Sequence, residues 1–121
     1  MSPDTSETPA QRIASGYTVE GAALHLGTVV VDDVADPTAV VGIPLATVNR
    51  HGLVAGATGT GKTKTLQLLA EQLSSNGVPV FAADIKGDLS GLSTPGVEDD
   101  KIKARAASVG QTWEATGFPV T

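Results

Sequence analysis

The segment Gly56-Ala57-Thr58-Gly59-Thr60-Gly61-Lys62-Thr63 fits the pattern G-x-x-x-x-G-K-[ST]. No other feature narrows the fold of this chain as much, because each fixed position meets a demand of a bound polyphosphate. The glycines let the backbone turn tightly, so that successive N–H groups point inward at anionic oxygens. Lys62 can reach the outer phosphates and the Thr63 hydroxyl can ligate Mg²⁺. A helix that opens at this point aims the positive end of its dipole at the same place. The candidate binding set is therefore Gly56, Ala57, Thr58, Gly59, Thr60, Gly61, Lys62 and Thr63. Lys62 is also a candidate catalytic group. Lys64 adjoins the motif on the exposed side of the first helical turn; it joins the set by adjacency, although its side chain reads as solvated.

The flanking sequence supplies the context that the motif requires. His51-Gly52-Leu53-Val54-Ala55 is a short apolar run that reads as a buried strand. Leu66, Leu69, Ala70 and Leu73 fall at i, i+3, i+4 and i+7, one face of a helix. Asn76-Gly77 is a helix stop. Val78-Pro79-Val80-Phe81-Ala82-Ala83 then reads as a second apolar strand, with Pro79 near its start where a missing N–H is tolerated. Strand, glycine-rich loop, helix and strand make a βαβ unit, so the expected fold class is α/β with a parallel P-loop sheet.

Composition removes several alternatives. There is no cysteine among the 121 residues, hence no disulfide framework and no thiolate metal site. The two histidines are far apart in sequence. The first residues carry neither a basic start nor an apolar stretch, and no apolar run approaches the ~20 residues of a membrane span. A cytoplasmic protein without membrane contact is expected. The net charge of −5 lies wholly ahead of the loop: residues 1–44 hold Arg12 against Asp4, Glu7, Glu20, Asp32, Asp33 and Asp36. A basic stripe that would mark a nucleic-acid surface is missing, and aromatic residues suited to base stacking are few.

Along the chain, residues 1–14 are rich in Pro, Ser and Thr and are expected to be disordered. Residues 15–48 read as short β-segments, Tyr17–Val19, Leu24–Leu26, Thr28–Val31 and Val40–Gly42, packing as hairpins on the nucleotide domain. Asp32-Asp33 follows Val29-Val30-Val31 and could be mistaken for the metal-holding acid after an apolar strand. It precedes the phosphate loop, however, and reads as a hairpin turn. Residues 49–121 read as the N-terminal part of a P-loop domain truncated at its C-terminus, since two convincing parallel strands and the start of a third fall short of the usual sheet. Gly87 to Gly96 reads as loop with a helical turn, and Val97 to Val109 as a polar helix.

Asp84 lies just past the second apolar run, at the strand edge where open α/β sheets bind ligands. It is the second candidate catalytic residue, competing with a reading of Asp84–Asp88 as a polar turn held by local side-chain hydrogen bonds. Lys86 and Asp88 are weaker candidates in the same turn. His51 stands at the far end of the first strand, roughly 15 Å from the loop at ~3.3 Å per residue, and reads as structural.

Two stretches carry a family resemblance. Asn49 through Thr63, and Gly77-Val78-Pro79-Val80-Phe81-Ala82-Ala83-Asp84-Ile85-Lys86-Gly87-Asp88-Leu89-Ser90-Gly91-Leu92, closely resemble the bacterial HerA-like ATPases, helicase HerA C-terminal-domain proteins of the HerA/FtsK branch of additional-strand P-loop ATPases. The likeness is specific over 45–95, weaker over 96–121 and loose before 45. It implies a RecA-like sheet, ATP and Mg²⁺ as cofactors, and homo-hexameric rings that in better-known relatives move DNA. By the same likeness Lys62 and Thr63 take the phosphate and Mg²⁺ roles, and Asp84 matches an acidic position that assists the site. The family's later acidic strand motif, polar sensor and arginine finger have no counterpart here, so the 121 residues alone are expected to be inactive, and DNA as a partner rests on the resemblance alone. The loop and second apolar run also resemble the ParA/MinD partitioning ATPases. That family carries a lysine where this chain has Ala57 and an acid where it has Lys86. A non-catalytic fragment is the third reading.

Overall fold

A computed structural model of the chain describes residues 6–121. These fall into two compact units: one holds the chain through Thr47 together with Asp99–Trp113, the other Val48–Glu98 and Glu114–Thr121.

The first unit is built on a hairpin. Strands β1 (Ala23–Val31) and β2 (Val34–Pro44) pair antiparallel, from Ala23 opposite Pro44 to Val31 opposite Val34. Asp32 and Asp33 form the connection, both in the left-handed region at φ 50° and 62°. This is the turn expected from the sequence, and two left-handed residues match the natural twist of paired strands. Three of the expected short β-segments, 24–26, 28–31 and 40–42, fall within the two long strands, whereas Tyr17–Val19 is turn and irregular backbone. Gly27 and Asp36-Pro37 do not end them, because the ladder absorbs irregularity. Between the pairs Thr28–Val40 and Val30–Ala35, Val29 faces the four residues 36–39 of β2. Pro37, which has no N–H to donate, sits inside that bulge. There the Asp36 carboxylate accepts from the Thr38 hydroxyl at 2.6 Å and the Thr38 amide at 2.9 Å. These donors hold its carboxyl below the usual carboxylate range.

Helix α1 (Pro9–Ser15) lies on the hairpin, where disorder was expected over residues 1–14. Residues 1–5 of that stretch lie outside the described residues. Thr8 accepts from the Gln11 amide, the Gln11 side chain accepts from the Thr8 amide, and Pro9 opens the first turn. This reciprocal capping box, T-x-x-Q with proline at the first helical position, satisfies two otherwise orphaned donors. It was readable in the sequence, but the Pro/Ser/Thr composition masked it. Ala10 of α1 packs with Val29 and Ala39 of the hairpin, and Leu24 is fully buried elsewhere on β1. In the same unit, helix α3 (Asp100–Ser108) is capped by Asp99, whose carboxylate accepts from the Lys101 amide at 2.7 Å. It ends at Gly110, whose φ of +73° and approach to Pro37 leave no room for a Cβ, which would fall 2.6 Å from the proline ring.

The second unit contains helix α2 (Lys62–Ser75) and irregular backbone around it. The start and stop of α2 follow the sequence reading, whereas its expected apolar face is only half-buried at Leu69, Ala70 and Leu73 and exposed at Leu66. Asn76 caps its C-terminus and Gly77 follows at φ +78°. The two flanking apolar runs differ from expectation. Neither 51–55 nor 78–83 is a strand, so the parallel P-loop sheet is not formed among the described residues, whose sheet is the two-stranded hairpin. A strand needs a partner for its N–H and C=O groups, and these segments have none along a ladder. Their side chains are accordingly open to water: Leu53 is 90% and Phe81 96% exposed. Residues 117–121, read as the start of a further strand, are also irregular, with the Phe118 amide donating to Leu92 O at 2.9 Å. The expected helical turn within Gly87–Gly96 is a short 3-10 turn at Ser90–Ser93.

Candidate functional site

The loop before α2 takes its shape from three of its glycines. Gly59 and Gly61 lie at φ +81° and +99°, where an L side chain is strained. Gly56 is needed for another reason: a Cβ there would stand 2.6 Å from Thr60 Oγ1. Thr60 is fixed by its own bonds, since its hydroxyl donates to Ala57 O at 2.6 Å and its amide to the same carbonyl at 3.3 Å. The segment Ala57–Thr60 is therefore a closed turn pressed against Gly56.

The helix end completes the site. Gly61 is the N-cap of α2, no side chain caps it, and the first turn holds no acid. The first amides of an α-helix have no partner within the helix and carry its partial positive charge. Lys62, the first helical residue, folds back so that Nζ donates to Gly56 O at 2.7 Å and Ala57 O at 2.8 Å. Its ammonium thus lies across the mouth of the loop. Thr63 and Lys64 follow, both exposed. Ala57 and Thr58 contribute backbone. The structure thus brings Gly56 through Lys64 together in one loop and helix start, with positive charge and free-standing amides converging and no carboxylate among them.

Asp84 belongs to a separate turn of the same unit. Its two carboxylate oxygens accept from the Leu89 amide at 2.7 Å and the Lys86 amide at 3.1 Å. The Leu89 amide foremost, with those of Lys86, Gly87 and Asp88, keeps the Asp84 carboxyl below the usual range, against an opposing contribution from desolvation. The local hydrogen bonds of the polar-turn reading are therefore present. The turn is also tied to α2, because Gln67 of that helix donates from Nε2 to Asp88 O at 3.0 Å. Sequence periodicity gives no sign of that contact; a glutamine at a half-buried helical position is its only trace.

His51 is exposed, and no group of three or more His, Asp or Glu side chains among the described residues is placed to hold a metal ion. No helix of the described residues is long and apolar enough to cross a membrane.

The family model for the helicase HerA-like C-terminal domain matches residues 31–121. The chain belongs to that family. The match takes in β2, the Gly56–Thr63 loop, α2, the Asp84 turn and α3, and so reaches beyond the 45–95 stretch where the resemblance was specific. It places this HerA-like chain in an ATPase and helicase context, in a family that is typically oligomeric. No curated protein and no solved structure is significantly similar to it.

Proposed function

We propose that the HerA-like chain binds Mg-ATP at Gly56–Lys64 and hydrolyses it as part of a P-loop ATPase. The observation that carries this reading is the loop geometry. Two left-handed glycines, a third with no room for a Cβ, an uncapped helix start and a lysine across the mouth make a cradle for a polyanion. Mg-ATP, when bound, supplies a strained phosphoanhydride and a metal that offsets its charge. The chain's own groups hold it. The amides at Gly59 and Gly61 through Lys64 would donate to the phosphate oxygens, Lys62 would give up its two carbonyl partners for the outer phosphates, and the Thr63 hydroxyl would serve as a ligand to the metal. Asp84 stands outside the cradle. Its carboxylate is exposed, so it can accept from a water and serve hydrolysis more than binding. Residues 51–55 and 78–83 are the segments that a RecA-like sheet would use as parallel strands. A homo-hexamer, a cytoplasmic location and DNA as the substrate of movement have the family context alone as support, and the sequence carries no basic stripe that would favour the last.

The test is titration calorimetry of Mg-ATP against the chain and its Lys62→Ala variant. Hydrogen bonds to a charged group are worth about 1.5–3 kcal/mol, so Lys62→Ala is expected to weaken binding by at least roughly tenfold. Equal affinities would remove the assignment.

A further inference from the structure

The contact between Gln67 and Asp88 joins two parts that the nucleotide reading leaves separate. Gln67 lies on α2, four residues after Thr63. Residues four apart stand on one helix face, a turn apart, with Cβ atoms about 5–6 Å from each other. The Asp88 carbonyl that accepts from Gln67 Nε2 therefore lies along the Thr63 face of the helix. Its turn is stiff within itself. Asp84 closes it through the Leu89 and Lys86 amides, Gly87 allows the bend at φ +77°, and the Ser90 hydroxyl donates to Gly87 O at 2.8 Å. A turn closed by its own hydrogen bonds can shift as a body when an outside anchor such as the Asp88 carbonyl is lost.

We propose that Gln67 is a positioning residue: its amide anchors the Asp84–Leu89 turn on the Thr63 face of α2 and so sets where the Asp84 carboxylate stands relative to the metal side of the phosphate loop. The proposal rests on the Mg-ATP reading and deepens it. Mg²⁺ held by one hydroxyl keeps several of its waters, and those waters need acceptors at a fixed distance. The Asp84 carboxylate is such an acceptor only while the turn is held near the Thr63 face.

The test uses the full chain with three variants. Gln67→Met keeps length and helix propensity but cannot donate. Gln67→Glu sets an acceptor against the carbonyl. Gln67→Lys keeps a donor. Two quantities are read: hydrogen exchange of the Leu89 amide in the ligand-free chain, and affinity for a non-hydrolysable ATP analogue with Mg²⁺ and with EDTA. Gln67→Met and Gln67→Glu are expected to speed Leu89 exchange. Both should reduce the gain in affinity that Mg²⁺ brings by roughly two- to tenfold, the worth of one hydrogen bond, with affinity in EDTA unchanged. Gln67→Lys should restore most of both. A Gln67→Met chain with wild-type exchange and a wild-type Mg²⁺ gain overturns the proposal. So does faster exchange with an unchanged Mg²⁺ gain, which would make the contact a brace without a role at the site. A wild-type chain that binds no analogue overturns the Mg-ATP reading and this proposal together, and is thereby told apart from failure of the proposal alone.

Discussion

Replacing Gly61 by alanine probes the phosphate loop with little else disturbed. Gly61 sits at φ +99°, and an added Cβ would meet nothing within 4 Å. The substitution therefore creates no clash, and its cost is that of the backbone. Holding an L residue in the left-handed region costs about 1–2 kcal/mol. The chain can relieve that strain by letting Gly61 return to negative φ, but this unwinds the N-cap of α2 and turns the Lys62 and Thr63 amides away from the loop. If phosphate binding needs the present conformation, the strain appears as lost affinity. At about 1.4 kcal/mol per factor of ten, Gly61→Ala should bind Mg-ATP roughly 5- to 30-fold more weakly. Gly52→Ala is the control: its φ lies outside the left-handed region and its Cβ also meets open space, so binding should not change. Fluorescence titration of a labelled ATP analogue against both variants reads the difference. Equal binding by Gly61→Ala and Gly52→Ala would refute the claim that the left-handed glycine shapes the site.

Two further outcomes follow. Leu24→Ala should cost about 2–5 kcal/mol, because Leu24 is 1% exposed, and it should lower the melting temperature sharply; Leu53→Ala, at 90% exposure, should leave the melt unchanged. Asp84→Asn should leave nucleotide affinity within a few-fold of wild type, abolish steady-state turnover in a complete P-loop ATPase that carries this chain, and change the acid response of the turn. Because the folded carboxyl is held below the ordinary Asp value of about 3.9, its stabilisation is complete above that value and lost as pH falls through the lower folded value. Protection of the Leu89 and Lys86 amides, taken as exchange relative to the intrinsic rate at each pH, should therefore be full above the ordinary Asp value and fall as pH drops through the lower folded value, with no such step in Asp84→Asn. A wild-type chain whose Leu89 exchange ignores that range would show that the carboxylate does not hold the turn.

What could be read from residues alone was local. The Asp32-Asp33 turn, the start and stop of α2 and the polar helix after Val97 each depend on neighbours within a few positions. The phosphate loop is legible for the same reason, since its glycines answer to backbone angles and not to distant contacts. The strands at 51–55 and 78–83 were inferred from apolar character, which states a preference for burial but provides no pairing partner. α1 was hidden because composition outweighed a four-residue capping signal. The Gln67–Asp88 contact spans 21 residues, and a single sequence carries no cue to a side chain meeting a carbonyl at that distance.

The central claim is that residues 56–64 hold the phosphates, and backbone amide NMR of the chain during Mg-ATP titration tests it residue by residue. The account predicts large, saturable shifts at Gly59, Gly61, Lys62 and Thr63, a smaller response at Lys86 and Leu89, and unmoved signals at Thr28 and Val40 of the hairpin. Shifts confined to the hairpin, or spread evenly without saturation while the loop amides stay in place, would contradict it.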